Sequence, residues 1–105
     1  MTENLVKFKN IDWTSPALGV SEKVFKSKGK ILRLVKFDDN FNEKDWCTKS
    51  HFGFVLSGEM TIDFNGILNR YQSGDGLWIE NGRLTPHQVI IHKGKQVELI
   101  LFEED

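Results

Sequence analysis

Three side chains able to donate to a metal or a substrate fall within the segment DWCTKSHFGFVLSGEMTIDFNG: Asp45, Cys47 and His51, all at odd positions. Alternate side chains of an extended strand share a face, so a single strand through this segment turns carboxylate, thiol and imidazole the same way. A fourth candidate, His87, follows a second glycine-rich stretch, SGDGLWIENGRLTPHQVII. Imidazole is the commonest protein metal ligand and titrates near neutrality. Thiolate with imidazole and carboxylate is a set that zinc tolerates well, whereas two imidazoles and a carboxylate suit non-haem Fe(II). The expectation is a divalent metal held by His51, His87, Cys47 and Asp45. Zinc is the best match if Cys47 ligates, iron, manganese or nickel are the alternatives, and a metal-free site remains open.

Each of these residues also has an ordinary structural use. A histidine at a strand end bonds to backbone, and a lone intracellular cysteine is commonly a small buried hydrophobe. Asp45 closes the acid-rich run FDDNFNEKD, where carboxylates are usually solvated. Cys47 beside His51 could serve as a nucleophile, but the sequence displays no third group to orient the imidazole. Trp46 and Trp78 flank the two halves of the candidate site and are expected to wall a small-molecule pocket. Lys49 shares the parity of Cys47 and His51, which places it to pair with an anionic substrate. His92 has the opposite parity to His87, and Glu59 the opposite face to Met60, Ile62 and Phe64, so both are expected outside the site. Gly74, Gly76 and Gly82 belong to no phosphate-binding motif and read as turn glycines.

The elements that must position these side chains are strands. Apolar and polar residues alternate, or form short runs, between Gly and Asn positions, with almost no pattern at a period of 3.6. A hairpin is expected to turn at Gly29 between residues 24–25 and 31–37. A meander follows from residues 53–56, a Ser57-Gly58 bend, residues 60–64, the Asn65-Gly66 turn and residues 67–71; Asn-Gly between alternating segments is a strong hairpin signal. Residues 77–79, a turn at Asn81-Gly82, and final strands at 87–92 and 97–102 complete eight or nine strands, which implies a sandwich or barrel with a polar site in its mouth. Residues 11–19, with Trp13 and Pro16, read as irregular or as one helical turn.

Composition narrows the function. At 105 residues, with eight Phe and three Trp among 39% apolar residues, the chain has material for one domain and one core. The expected organisation is residues 1–105 as a single domain, with an N-terminal strand and irregular segment at 1–20 and the barrel at 21–103. A net charge of −1, with lysines scattered through the strands, gives no electrostatic footprint for nucleic acid. No apolar run reaches the roughly 20 residues that span a bilayer. A single cysteine forms no internal disulfide, which fits a reducing cytoplasm.

On these residues the chain resembles a cupin. FVLSGEM at 54–60 is similar to the strand and bend after the first cupin motif, and GDGLWIENG at 74–82 to the opening of the second. The resemblance covers roughly residues 37–102 and implies an all-β antiparallel jelly-roll barrel, a double-stranded β-helix. Asp45 and Cys47 stand where the family has its His-x-His pair, His51 where it has Glu, and His87 near its last His. Glu80 replaces the motif proline, and Gly82 is separated from His87 by four residues in place of two. The resemblance implies a metal-dependent enzyme acting on a small polar molecule, with isomerase, lyase and dioxygenase chemistry all known on the fold. It implies as the alternative a non-catalytic, metal-free ligand-binding or dimerisation module. Pairing into a homodimer through an edge strand or sheet face is a further implication, residues 5–8 being a candidate exchanged edge.

Overall fold

The computed structural model describes residues 4–80 and 82–104. Eight strands follow a single 3₁₀ turn at Phe8–Asn10: β1 (Thr14–Ala17), β2 (Val20–Ser27), β3 (Lys30–Asp38), β4 (His51–Phe64), β5 (Ile67–Gln72), β6 (Gly76–Ile79), β7 (Gln88–Ile90) and β8 (Gln96–Glu104). All pairing is antiparallel, in the order β1-β2-β3-β8-β4-β5, with β6 and β7 also on β4. The turns are where the sequence places them. Lys28 and Gly29 both take positive φ between Ser27 and Lys30, and Asn65 and Gly66 do the same between Phe64 and Ile67. These are the conformations that keep the right-handed twist of a two-residue hairpin.

The organising element is β4. Its first half lies between β8 and β6, and its second half between β5 and β7, so one strand joins the two walls of the barrel. The change of neighbours occurs at a bulge: Val55 pairs with Leu99 and Ser57 with Glu98, leaving Leu56 as an extra residue. The extra residue reverses the inward parity. Before it the buried side is odd-numbered, as at Val55; after it the side is even, as at Met60 and Ile62. Gly58 makes the bend feasible, with φ at 77° and the place of a side chain filled, since a Cβ there would stand 2.0 Å from the Gln96 carbonyl oxygen. The expected bend at Ser57-Gly58 is therefore a kink inside one strand.

Inward residues from both walls form the core, in which Val35 and Val55 are fully enclosed, and Met60, Ile62, Leu99 and Leu101 pack with them. Burying each such side chain contributes roughly 1.5–3 kcal/mol.

Three expectations need correction. Residues 11–19 contain a strand, β1, which is illegible because all four of its side chains are exposed and no alternation shows. Residues 5–7 form no strand; this segment runs into the 3₁₀ turn, and the Lys23 ammonium donates to the Phe8 carbonyl at 2.7 Å. The strand expected to run unbroken from Asp45 begins only at His51. Asn81, half of an expected turn, lies outside the described residues.

Candidate metal centre

Local backbone geometry gathers the site. His51 opens β4 opposite Ile79 and shares the inward side of Gly53 and Val55. Cys47 belongs to no long strand. It is joined to His87 by a two-bond antiparallel bridge, in which the Cys47 N–H donates to the His87 carbonyl at 2.7 Å and the His87 N–H to the Cys47 carbonyl at 3.1 Å. This bridge, and not a shared strand face, is what brings thiol and imidazoles together. The turn before His87 packs so tightly under the cysteine loop that a Cβ on Gly82 would stand 2.4 Å from the Lys49 carbonyl oxygen. Only glycine lets the two backbones approach this closely.

The donor atoms of Cys47, His51 and His87 all lie within 4.8 Å of one another. Cys47 Sγ is 3.3 Å from His51 Nε2, and the two imidazole rings meet edge to face with centroids 5.2 Å apart. Phe64 packs beside His87, with centroids 5.8 Å apart.

Hydrogen bonds on the far side of each ring fix which nitrogen faces the cluster. His51 Nδ1 lies 2.5 Å from Glu103 Oε2, and Glu103 is held in turn by Arg33 Nη2 at 2.9 Å, whose Nη1 reaches Glu22 at 3.1 Å. His87 Nδ1 is 3.0 Å from the Thr85 carbonyl. A carbonyl only accepts, so Nδ1 carries the proton and Nε2 presents a lone pair. That Nε2 is buried without a hydrogen-bond partner, on a residue only 2% exposed. An unpaired buried acceptor is costly. A lone pair aimed at a thiol and a second imidazole is also the arrangement a bare cation satisfies, so the donor set fits a divalent metal.

The electrostatics agree with this. Burial opposes ionisation of Cys47, but the hydrogen bond to His51 and the neighbouring His87 imidazole outweigh it and hold the thiol down at about 5. Burial likewise opposes protonation of His51, and the Cys47 sulfur and Glu103 carboxylate overcome it to raise the imidazole to about 9. His87 is raised by the same sulfur and by the Thr85 carbonyl, against burial. Glu103 is lowered despite burial, by its bond to His51 and the charge of Arg33. Glu43 is raised, first by burial and further by the Cys47 charge, although its Oε1 accepts the Val89 N–H at 2.8 Å.

Cys47, His51, His87 and Glu43 line a cavity of about 290 Å³ inside the barrel, with Glu103 behind His51. Lys49 also borders it, but the remaining expected residues do not. Asp45 sits exposed in a bend outside the donor cluster, because the chain is not extended there. Trp46 is 42% exposed and Trp78 is 75% exposed, and neither lines the cavity. Trp78 alternates with the inward Leu77 and Ile79, so its indole stands on the outer surface against Phe52, centroids 4.5 Å apart. His92 points elsewhere, to Thr61 Oγ1 at 3.3 Å.

Arg33, Glu43 and Glu103 escaped the sequence reading. Two of them carried a signal: Arg33 shares parity with Val35 and Phe37, and Glu103 with Leu99 and Leu101, so each is a charge on an apolar face. Glu43 lies in a loop and carried none.

No family model and no curated protein matches the chain. Solved structures do. The polyketide cyclase RemF from Streptomyces resistomycificus superposes with a TM-score of 0.77 at 13% identity, over 98% of this chain and 80% of that one. An RmlC-like cupin from Shewanella frigidimarina gives 0.77 at 12% identity, over 98% and 91%. The chain has the cupin fold. A sugar phosphate isomerase of the cupin superfamily from Silicibacter pomeroyi gives 0.78 at 11% identity, over 96% and 75%. The matched proteins differ in activity, so this fold likeness assigns no reaction to the present chain. Among its described residues no helix is long and apolar enough to cross a membrane.

Proposed function

We propose that this cupin-fold protein is a metal-dependent small-molecule protein, in which Cys47 Sγ, His51 Nε2 and His87 Nε2 hold one divalent ion. The observation that carries the reading is the buried, unpartnered Nε2 of His87 beside a lowered thiol and a second imidazole. One thiolate and two imidazoles favour zinc, and three protein donors are the number found where a position is kept for water or substrate. A bound ion of this kind supplies Lewis acidity towards an oxygen or sulfur donor. The chain supplies the rest. Glu103 and the Thr85 carbonyl fix the ring orientations, the apolar walls exclude water, and Glu43 is the acid–base group beside the donors. A polar head on the small molecule would enter at the donor cluster. Asp45 has no place in this set, and a cytoplasmic setting suits its free thiol.

Elemental analysis of tag-free protein beside a His51→Ala, His87→Ala double variant tests the reading. Near-stoichiometric metal in the parent and none in the variant is expected. A metal-free parent that also takes up no added zinc overturns it.

A second reading has its own observation. Cys47, His51 and Glu103 form a continuous row of thiol, imidazole and carboxylate, with steps of 3.3 Å and 2.5 Å. In a metal-free protein that row is a nucleophile, its base and the orienting group that the sequence did not reveal. Metal-free parent protein with covalent modification of Cys47 by a substrate-like ester, abolished in Glu103→Ala, would favour it.

We further propose a homodimer through the outer surface of the sheet. Phe25, Leu32, Phe102, Phe52 and Trp78 stand in one cross-strand row over β2, β3, β8, β4 and β6. Phe25, Phe102 and Trp78 are exposed. A contiguous apolar band of this kind suits a self-complementary two-fold contact.

A further inference from the structure

The cavity beside the donor cluster is walled by Phe37, Phe41, Met60, Ile79, Val89 and Leu99, among other apolar residues. Beyond the three donors, the polar side chains among the described residues that border it are Arg33, Glu43 and Lys49. Their capacity is largely spent. Both terminal nitrogens of Arg33 are committed to Glu22 and Glu103, but its Nε is buried without a hydrogen-bond partner. Glu43 Oε1 is taken by the Val89 N–H. Lys49 is exposed and can serve only the rim. Among the described residues, the Arg33 Nε–H and one carboxylate oxygen of Glu43 are then what the inner wall offers a ligand beside the donor cluster.

A sugar or sugar phosphate placed here would bury several hydroxyls without partners, each weakening binding roughly tenfold or more. An apolar body has the opposite balance, since each methylene removed from water tightens binding about fourfold. Size sets a second bound. The volume of about 290 Å³ stands at the lower end of the range of small-molecule pockets.

We infer that the ligand of this cavity is a small hydrophobic compound carrying one polar head that meets Cys47, His51 and His87. This assignment of ligand class rests on the metal-centre reading for the head and on the wall alone for the body. It excludes carbohydrates.

Zinc-loaded protein of measured metal content is titrated with acetohydroxamate, butyrohydroxamate and ribose 5-phosphate. The two added methylenes of butyrohydroxamate should tighten Kd by roughly fifteenfold, and ribose 5-phosphate should not compete. Equal affinity for the two hydroxamates, or tighter binding of ribose 5-phosphate, overturns the inference. A second measurement separates it from the metal reading. The chain has two methionines, one of them Met60 in the cavity wall, so methyl-labelled methionine gives a direct reporter in metal-free protein. Cyclohexanol should move the Met60 methyl signal and ribose should leave it in place. If zinc does not bind, this arm decides alone: no shift with cyclohexanol, or a shift with ribose, refutes the hydrophobic body.

Discussion

Glu103→Gln removes a charge and almost nothing else. The carboxylate touches His51 Nδ1 at 2.5 Å and Arg33 Nη2 at 2.9 Å with its side chain largely buried, and Gln keeps an oxygen that can accept from the imidazole. A hydrogen bond to a charged partner is worth roughly 1.5–3 kcal/mol and a neutral one roughly 0.5–1.5. The difference, about 1–1.5 kcal/mol, is about tenfold in affinity. Loss of an orienting partner behind a metal-bound histidine costs roughly 10–100-fold, so Glu103→Ala should approach the upper figure. Zinc affinity is read by competition with a chromophoric chelator at neutral pH. Glu22→Gln is the control, because Glu22 meets Arg33 at 3.1 Å but not His51. It should change zinc affinity by no more than about twofold, because Glu22 touches none of the donor rings. Folded Glu103→Gln protein with parental affinity, or an equal loss in Glu22→Gln, would refute the argument that the carboxylate acts through the His51 ring.

Three further outcomes follow from the same geometry. In chelator-treated protein, alkylation of Cys47 by iodoacetamide should stay level from neutral pH downward and fall only as pH drops through about 5, because the thiol is depressed and its anion persists above that value; His51→Ala should move the inflection upward, and a parental profile that already falls below about 8.5 contradicts the assignment. Gly58→Ala should destabilise by roughly 2–4 kcal/mol in urea unfolding, combining the positive-φ cost with the clash at the Gln96 carbonyl, whereas Gly66→Ala, with open space around it, should lose only roughly 1–2. Trp78→Ser should shift the mass measured by light scattering from dimer towards monomer without loss of bound metal; an unchanged mass counts against the sheet-face contact.

The fold was legible where local chemistry decides conformation. Asn65-Gly66 and Lys28-Gly29 demand positive φ, and apolar alternation on either side leaves few alternatives to a hairpin. It was illegible where pairing overrides pattern: β1 is exposed along its whole length, and the parity change after Val55 depends on a bulge that no spacing announces. The grouping of Cys47, His51 and His87 was expected for a partly mistaken reason. Residues 48–50 belong to no strand, and the backbone bridge to His87 supplies the convergence. Trp78 was misplaced because indoles were weighed by type, although its neighbours Leu77 and Ile79 already claimed the inward side. Glu103 lies 52 positions from the ring it holds, and nothing short of the β8 register connects them.

Cys47 and His51 stand four positions apart, whereas His87 belongs to a distant part of the chain. A denatured polypeptide therefore retains a two-donor chelate of its own. Ions captured there lower the free energy of the unfolded ensemble as well, so thermal stabilisation by added zinc will fall short of the value calculated from native-state affinity alone. Under the proposed metal reading, the same local chelate would give nascent chain a place to load an ion before the barrel closes, with His87 completing the coordination as the walls come together.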